Sequence, residues 1–461
     1  MPASPEPPRE PGRRAGARSP WTRPRDRIVT AVVVAVVVVV GALVWAQSDS
    51  RATSRSTAAR EQTELPEPKE PPGQLRELWR APSPKTILPV AHGATVVTGE
   101  GGKVTGRDAE TGEQVWHYER DLPLCTVGEA WSSALAVYRK SSGCSEVSRL
   151  DLATGRLQAQ RNGDAELGTR LLSDGTHVLA TGRKLLNVWS RDLIRTMEYG
   201  RVPAPVEPDR QHRPGCSATS SPSKGQVETS TPPSQERRCL ADTGVPPRSD
   251  CALNSMALLA GKIAITERCA GDRSDWLTVI GTTNEQDGEN RSDEPKVLLS
   301  AELPGADARV VAVARDEEPR AAVVLPHTRQ LLIYAKPGKL VNQYSLTMPT
   351  EELLDAHVDG TPQLTHGPSS VLWFSGSATL AMDAETLRPR WTLPNTRGTG
   401  MQWADSMVVP IDGGIAVIDE ETGESSRTVA IDRSGYEGPV RLSHVGPVLL
   451  EQRGDTLVAL R

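Results

Sequence analysis

Aromatic residues are scarce in this chain, with one Phe, six Tyr and ten Trp among 461 residues. A core of stacked rings is thereby excluded, and burial must rest on Val, Leu, Ile and Ala, with Trp kept for special places. Cysteine is sparse too: there are six, and none precedes Cys125. No C-x-x-C spacing or His pair accompanies them, which excludes the usual zinc patterns. The eight His residues (His92, His117, His177, His212, His327, His357, His366 and His444) are scattered without metal spacing. G-x-S-x-G and phosphate-loop patterns are missing, so no serine nucleophile elbow and no nucleotide cradle is expected. The formal net charge is −5, and no nucleic-acid partner is expected. No metal, cofactor or catalytic residue is predicted.

What is present is one recurring phrase: an apolar strand ending in Asp, a T-G turn, then a second strand. It reads KVTGRDAETGEQVW at 103–116, VSRLDLATGRLQA at 147–159 and IAVIDEETGESSR at 415–427, with a decayed copy, LAMDAETLRPRW, at 380–391. Asp108, Asp151, Asp383 and Asp419 sit where a turn needs a side-chain acceptor for the backbone two residues on. Gly112, Gly155 and Gly423 sit where such a turn leaves at positive φ. Trp116 follows Asp108 by the same offset that separates Trp391 from Asp383, which suits an outer strand docking on its neighbour. A hairpin repeated at a period of about 40 residues builds a radial array of small sheets.

These segments resemble the repeats of the pyrroloquinoline-quinone type of eight-bladed β-propeller, A-x-D-x-x-T-G-x-x-x-W. That family includes quinoprotein dehydrogenases and the propeller lipoprotein of the bacterial outer-membrane β-barrel assembly machine. The resemblance implies a fold. The enzymes of the family also carry adjacent cysteines, a calcium-binding set of acids and a catalytic Asp; this chain has no Cys-Cys pair.

Short apolar segments run in groups of four from residue 86 onward. The last group, 440–443, 447–452 and 456–460, has only three, and the orphan strand Leu75–Arg80 with Trp79 supplies the fourth. Joining both chain ends in one blade removes the open sheet edge. The expectation is an all-β propeller over 75–461, of eight four-stranded antiparallel blades, with seven as the alternative.

Ahead of it lies an uncharged run, IVTAVVVAVVVVVGALVWA at 28–46. It is long enough for a transmembrane helix, and the arginines before it place residues 1–27, a disordered tail, in the cytoplasm. A single-pass signal anchor in the cell membrane is expected, with the C-terminal body outside; a cleaved secretory signal is the alternative. Residues 47–74 read as a flexible Pro-rich linker. An even cysteine count fits export. Cys125 and Cys144 hold places in their blade that Cys251 and Cys269 hold two blades later, predicting disulfides Cys125–Cys144 and Cys251–Cys269. Cys216 and Cys239 are left to each other inside an insertion, 201–250, that is either stapled and presented or disordered. The Arg-, Ala-, Val- and Pro-rich composition resembles that of high-GC bacteria such as actinobacteria. Taken together, a non-catalytic binding scaffold for an envelope protein or polymer is expected. The alternative is a small-molecule sensor or quinoprotein-like enzyme using the central channel.

Overall fold

The computed structural model describes residues 24–46, 52–60, 62–200, 248, 250–283, 295–358 and 360–461. The expected tail before residue 24, the Cys216–Cys239 pair and nearly all of the 201–250 insertion lie outside the described residues. By contact the chain divides into two units, 1–54 and 55–461. In the first, Pro24–Ala46 forms a 23-residue helix. Its side chains from Ile28 to Val40 include ten exposed Val and Ile residues, apolar all round rather than along a stripe. Among the described residues no helix is long and apolar enough to cross a membrane; the side chains of this helix are described only at Arg25 and over 27–41.

In the second unit the described strands form eight antiparallel sheets, each containing four strands in the order of a propeller blade, two of them with a fifth at one edge. Blades 1 to 7 occupy 90–120, 124–162, 171–199, 252–302, 309–345, 361–394 and 401–430, and blade 8 joins 440–460 to Glu77–Pro82. Eight hydrophobic clusters alternate with them, one at each junction. Val311 and Val324 of blade 5 meet Trp373 and Leu380 of blade 6, for example, and Val96 of blade 1 meets Leu450 and Ala459 of blade 8. The core is therefore a ring of inter-blade seams, filled mainly by Val, Leu, Ile and Ala, which accounts for the low aromatic content.

The ring closes through the chain ends. Trp79 stands opposite Ala459 and Arg80 opposite Val458, while Arg76 and Arg461 exchange backbone hydrogen bonds of 2.8 Å each way. The closing strand runs Glu77–Pro82, two residues later than the pattern suggests. Another shift concerns the strand expected at 86–90, which begins only at Val90. Pro89 has no N–H to enter a ladder, and Thr86 instead makes a lone parallel bridge to Val127 of blade 2. A short helix, Thr350–Asp355, fills the link between blades 5 and 6 by burying Leu353; no side-chain cap marks its start.

The sequence predicts a flexible linker over 47–74, but from Ser56 onward the described residues form a strap on the ring. The Ser56 hydroxyl meets His117 Nδ1 at 2.8 Å, and Ala58 N–H donates to the Thr154 carbonyl at 3.0 Å. Gln62 donates to the Asp108 carboxylate at 2.8 Å. Leu65 packs with Val445 and Val448 of blade 8, and Arg427 of blade 7 donates to the Pro71 carbonyl. Short leucine and glutamine contacts, invisible to a composition-based reading, hold a proline-rich segment in one place. These partners lie on outer strands or at the ends of strands where 1–2 and 3–4 are joined, so the strap runs over that face of blades 2, 1, 8 and 7.

Candidate functional site

The turn residues singled out in the sequence build a repeated lock between blades. Asp108 Oδ1 accepts the N–H groups of Glu110 and Thr111 at 3.0 and 2.8 Å. Asp151 accepts from the Thr154 N–H and hydroxyl at 2.9 and 2.7 Å, and Asp419 from the Thr422 N–H and hydroxyl at 2.8 and 3.0 Å. At Asp383, burial would raise the carboxyl, yet hydrogen bonds from Thr386 and Arg390 outweigh it and hold it at about 2. The turn then presents a bare backbone to the preceding blade. Trp79 donates its indole N–H to the Ala109 carbonyl, Trp116 to Leu152 and Trp391 to Glu420, each at 2.9 Å. The rings lie on Gly112, Gly155 and Gly423, where a Cβ would stand 2.5–2.6 Å from the indole.

Each outer strand carries a one-residue irregularity just before its docking residue. Aligning on it puts Trp79, Trp116, Ala159, Met197, Leu299, Asn342, Trp391 and Arg427 at equivalent places in blades 8, 1, 2, 3, 4, 5, 6 and 7. The bulge has no sequence signature of its own, so only the two copies with the shared Trp offset could be aligned from sequence.

The opposite face, where strands 2–3 and successive blades are joined, carries a concavity. It holds about 370 Å³ and is lined by Lys184 of blade 3, Asp250, Ala252, Asn254, Arg268, Cys269 and Ala270 of blade 4, and Asp307 before blade 5. Beneath it lies Asp275, fully buried. Its carboxylate accepts from Arg268 at 2.7 Å, from Asn254 at 3.2 Å and from the Ala308 N–H at 2.8 Å. The Cys251–Cys269 disulfide ties the floor to the rim. Cys125–Cys144 makes the equivalent bond two blades earlier.

Both roots of the 201–247 insertion meet beside this concavity. Asp250 N–H donates to the Gly200 carbonyl at 2.9 Å. The Glu267 carboxylate accepts from the Tyr199 hydroxyl at 2.9 Å and lies 3.4 Å from the Arg248 guanidinium. Arg248 also stacks 4.5 Å above the Trp276 ring and pairs with Asp272. Burial raises the Glu267 carboxyl above its ordinary value, against bonds from Thr278 and Tyr199 and the Arg248 charge. Lys184, Asn254, Arg268 and Asp307 were not legible as a site, because they come from two loops and two strand ends that are far apart in sequence. The flanking cysteines were the one available pointer.

The histidines are not brought together. His357 and His366 of blade 6 are pushed down to about 4, in each case chiefly by burial. His357 Nε2 contacts the Val310 carbonyl at 2.7 Å. Among the described residues no group of three or more His, Cys, Asp or Glu could hold a metal ion.

Residues 30–184, about a third of the chain, match the family profile described as outer membrane protein assembly factor BamB. The match takes in blades 1 and 2 and enters blade 3 of the eight-bladed propeller. Among solved structures, the computationally designed protein Ika8 is similar at a TM-score of 0.46 and 11% identity, over 87% of this chain and 99% of that one. The dihydro-heme d1 dehydrogenase NirN gives 0.41 and 12%, over 78% and 67%; a streptogramin B lyase gives 0.40 and 12%, over 73% and 93%. The comparison with curated proteins finds no match.

Proposed function

We propose that this protein is an extracytoplasmic binding scaffold, tethered to the cell membrane by the helix Pro24–Ala46, whose propeller holds an envelope protein or polymer. The observation that carries the binding reading is the concavity around Lys184, Asn254, Arg268 and Asp307. Two cations and two carboxylates line it, Asp250 being the second. They stand on a floor braced by a disulfide and a buried, fully bonded aspartate. A preorganised site of mixed charge suits a polar, peptide-like or saccharide segment, because little ordering is left to do on binding. The uncharged sequence of 28–46, with seven arginines in the residues before it against three in 47–60 after it, supports the anchor and its orientation.

The test of binding is capture by the full-length chain from solubilised envelope, set against a Lys184→Glu variant. Lys184 is exposed, so the variant should fold, and a specific partner should be lost from it. A partner set that does not change would remove this site from the reading. Orientation is checked by a reporter that needs an oxidising compartment, fused after Arg461, which should be active. A mature N-terminus at Gln47 would show a cleaved signal instead.

A further inference from the structure

The junction between blades 5 and 6 lacks the lock found elsewhere. Asn342 holds the docking place, too short to cover the next turn, and Leu387 stands at φ 58° where the turns of blades 1, 2 and 7 have Gly112, Gly155 and Gly423. Arg320, from the second strand of blade 5, reaches across and donates to the Glu385 carbonyl at 2.8 Å. A notch of about 180 Å³ remains at the rim, lined by Arg320, Val341, Asn342, Thr386 and Arg388. Beside it runs Lys339–Ser345, the outer strand of blade 5, paired among the described residues only with Gln330–Ala335. Its first three residues are all exposed, Leu340 by 40% and Val341 by 43%. Within the propeller these are the only large hydrophobics exposed side by side among the described residues.

Free edge strands are normally blunted by proline, charge or brevity, because their unpaired N–H and C=O groups invite another strand. Two other outer strands show such devices: prolines bound Pro389–Pro394 of blade 6, and Glu77–Pro82 of blade 8 ends in one. Lys339–Ser345 has seven residues and no proline; its one charge is Lys339, and beyond the irregularity at Val341 the edge from Asn342 to Ser345 is regular. Blade 1 shows that an outer edge of this ring accepts another strand, since the strand ending at Ser56 is the fifth member of its sheet.

We propose that the outer edge of blade 5 docks an extended segment of a partner protein, which adds as a fifth strand beside Lys339–Ser345. An acidic side chain of that segment seats in the notch between Arg320 and Arg388. Backbone hydrogen bonds and contact with Leu340 and Val341 supply most of the affinity, as in other strand additions. The charge selects: Arg320 and Arg388 line the notch, with Arg388 exposed and Arg320 shared with Glu318 at 3.2 Å. An exposed pair adds little net energy, so the acid sets preference and register more than strength. This surface is independent of the concavity on blades 3 to 5.

The test uses the full-length chain in detergent and three labelled ten-residue peptides of alternating Thr and Val, with a central Glu, Gln or Lys. Anisotropy should rank them Glu, Gln, Lys, with at least fivefold between the first and last. Hydrogen exchange should slow over 339–345 when the Glu peptide binds. Arg388→Glu should reverse the ranking, and the double change Leu340→Thr and Val341→Thr, which keeps a strand-forming sequence, should weaken all three at least threefold. The proposal is overturned if no peptide binds, or if Arg388→Glu leaves the ranking as it was. Protection confined to other strands would also overturn it. So would self-association of the full-length chain that Val341→Lys abolishes, since the edge would then belong to a second copy.

Discussion

Blades 7, 8, 1 and 2 and blades 3, 4 and 5 use one hairpin plan to opposite ends. On the first side the ring must be closed between chain ends, and it is fastened several times over. Trp79 and Trp116 lock onto the following turns, Arg76 and Arg461 pair by backbone, and the strap from Ser56 to Leu75 crosses all four blades. On the second side neighbours are already joined by the chain. There the docking places hold Met197, Leu299 and Asn342, and the loops are released for an insertion, a polar concavity and a bare strand edge. A Trp lock constrains two blades at once, since the ring needs a partner turn with a glycine at positive φ. The Trp79 lock fixes the strand that closes blade 8 onto blade 1, while the locks between blades 1 and 2 and between blades 6 and 7 stand at junctions the chain already joins.

The largest test removes the fastening itself. A chain lacking 1–82 loses the outer strand of blade 8 and exposes the edge of Thr456–Leu460, and should aggregate or melt far below the full chain. A chain lacking only 1–54 keeps strap and strand, and its propeller should melt with the parent. Equal melting of the two truncations would mean that closure does not hold the ring.

Next in size is the lock compared with its empty counterpart. Trp116 is fully buried, and Trp116→Ala should cost about 3–5 kcal/mol in chemical denaturation. Asn342→Ala, at the equivalent place beside the notch, should stay within about 0.5 kcal/mol. A similar cost at both would erase the distinction between the two sides.

The glycine beneath the indole gives a smaller effect that separates strain from contact. Gly155 has φ 70°, and a Cβ there would stand 2.5 Å from Trp116; Gly175 has φ 87° with nothing within 4 Å. Gly175→Ala should carry only the left-handed backbone cost, roughly 1 kcal/mol. Gly155→Ala should cost that and a displaced Trp, about 2–3 kcal/mol together. If the two cost the same, the turn needs glycine for its backbone alone and not for the lock.

This contrast also explains what the sequence could and could not disclose. The lock is local: Asp108, Gly112 and Trp116 lie within one hairpin, so their chemistry shows in a single phrase. The closing strand was legible because Trp79 repeats the docking feature outside any complete blade, and the disulfides because equivalent places in two blades share their spacing. The concavity was not, since Lys184, Asn254, Arg268 and Asp307 converge only after the ring has formed. The strap was hidden for a related reason. Proline-rich composition signals a lack of strand, yet Leu65 and Gln62 need only single partners on a finished surface.

The smallest effect concerns two carboxyls whose titrations oppose one another across the molecule. Asp383, in the lock between blades 6 and 7, is held at about 2 against an ordinary 3.8. A carboxyl depressed in the folded state stabilises fully above 3.8 and loses that contribution as pH falls towards 2. Glu267, at the root of the insertion, is shifted the other way, mainly by burial. The folded state then binds the proton more tightly than the unfolded chain does. Its contribution is complete below about 4.5 and is lost as pH rises through the folded value. Removing each charge should therefore change opposite limbs of the stability profile. Asp383→Asn should flatten the acid limb below pH 4. Glu267→Gln can still accept from Tyr199 but cannot ionise, and should flatten the decline above pH 4.5. Urea midpoints at pH 2.5, 4.5 and 7.5 for the parent and both variants decide it. If Glu267→Gln declines as steeply as the parent above pH 4.5, Arg248 compensates the buried charge in full, and the root of the insertion is as firmly fastened as the closed side of the ring.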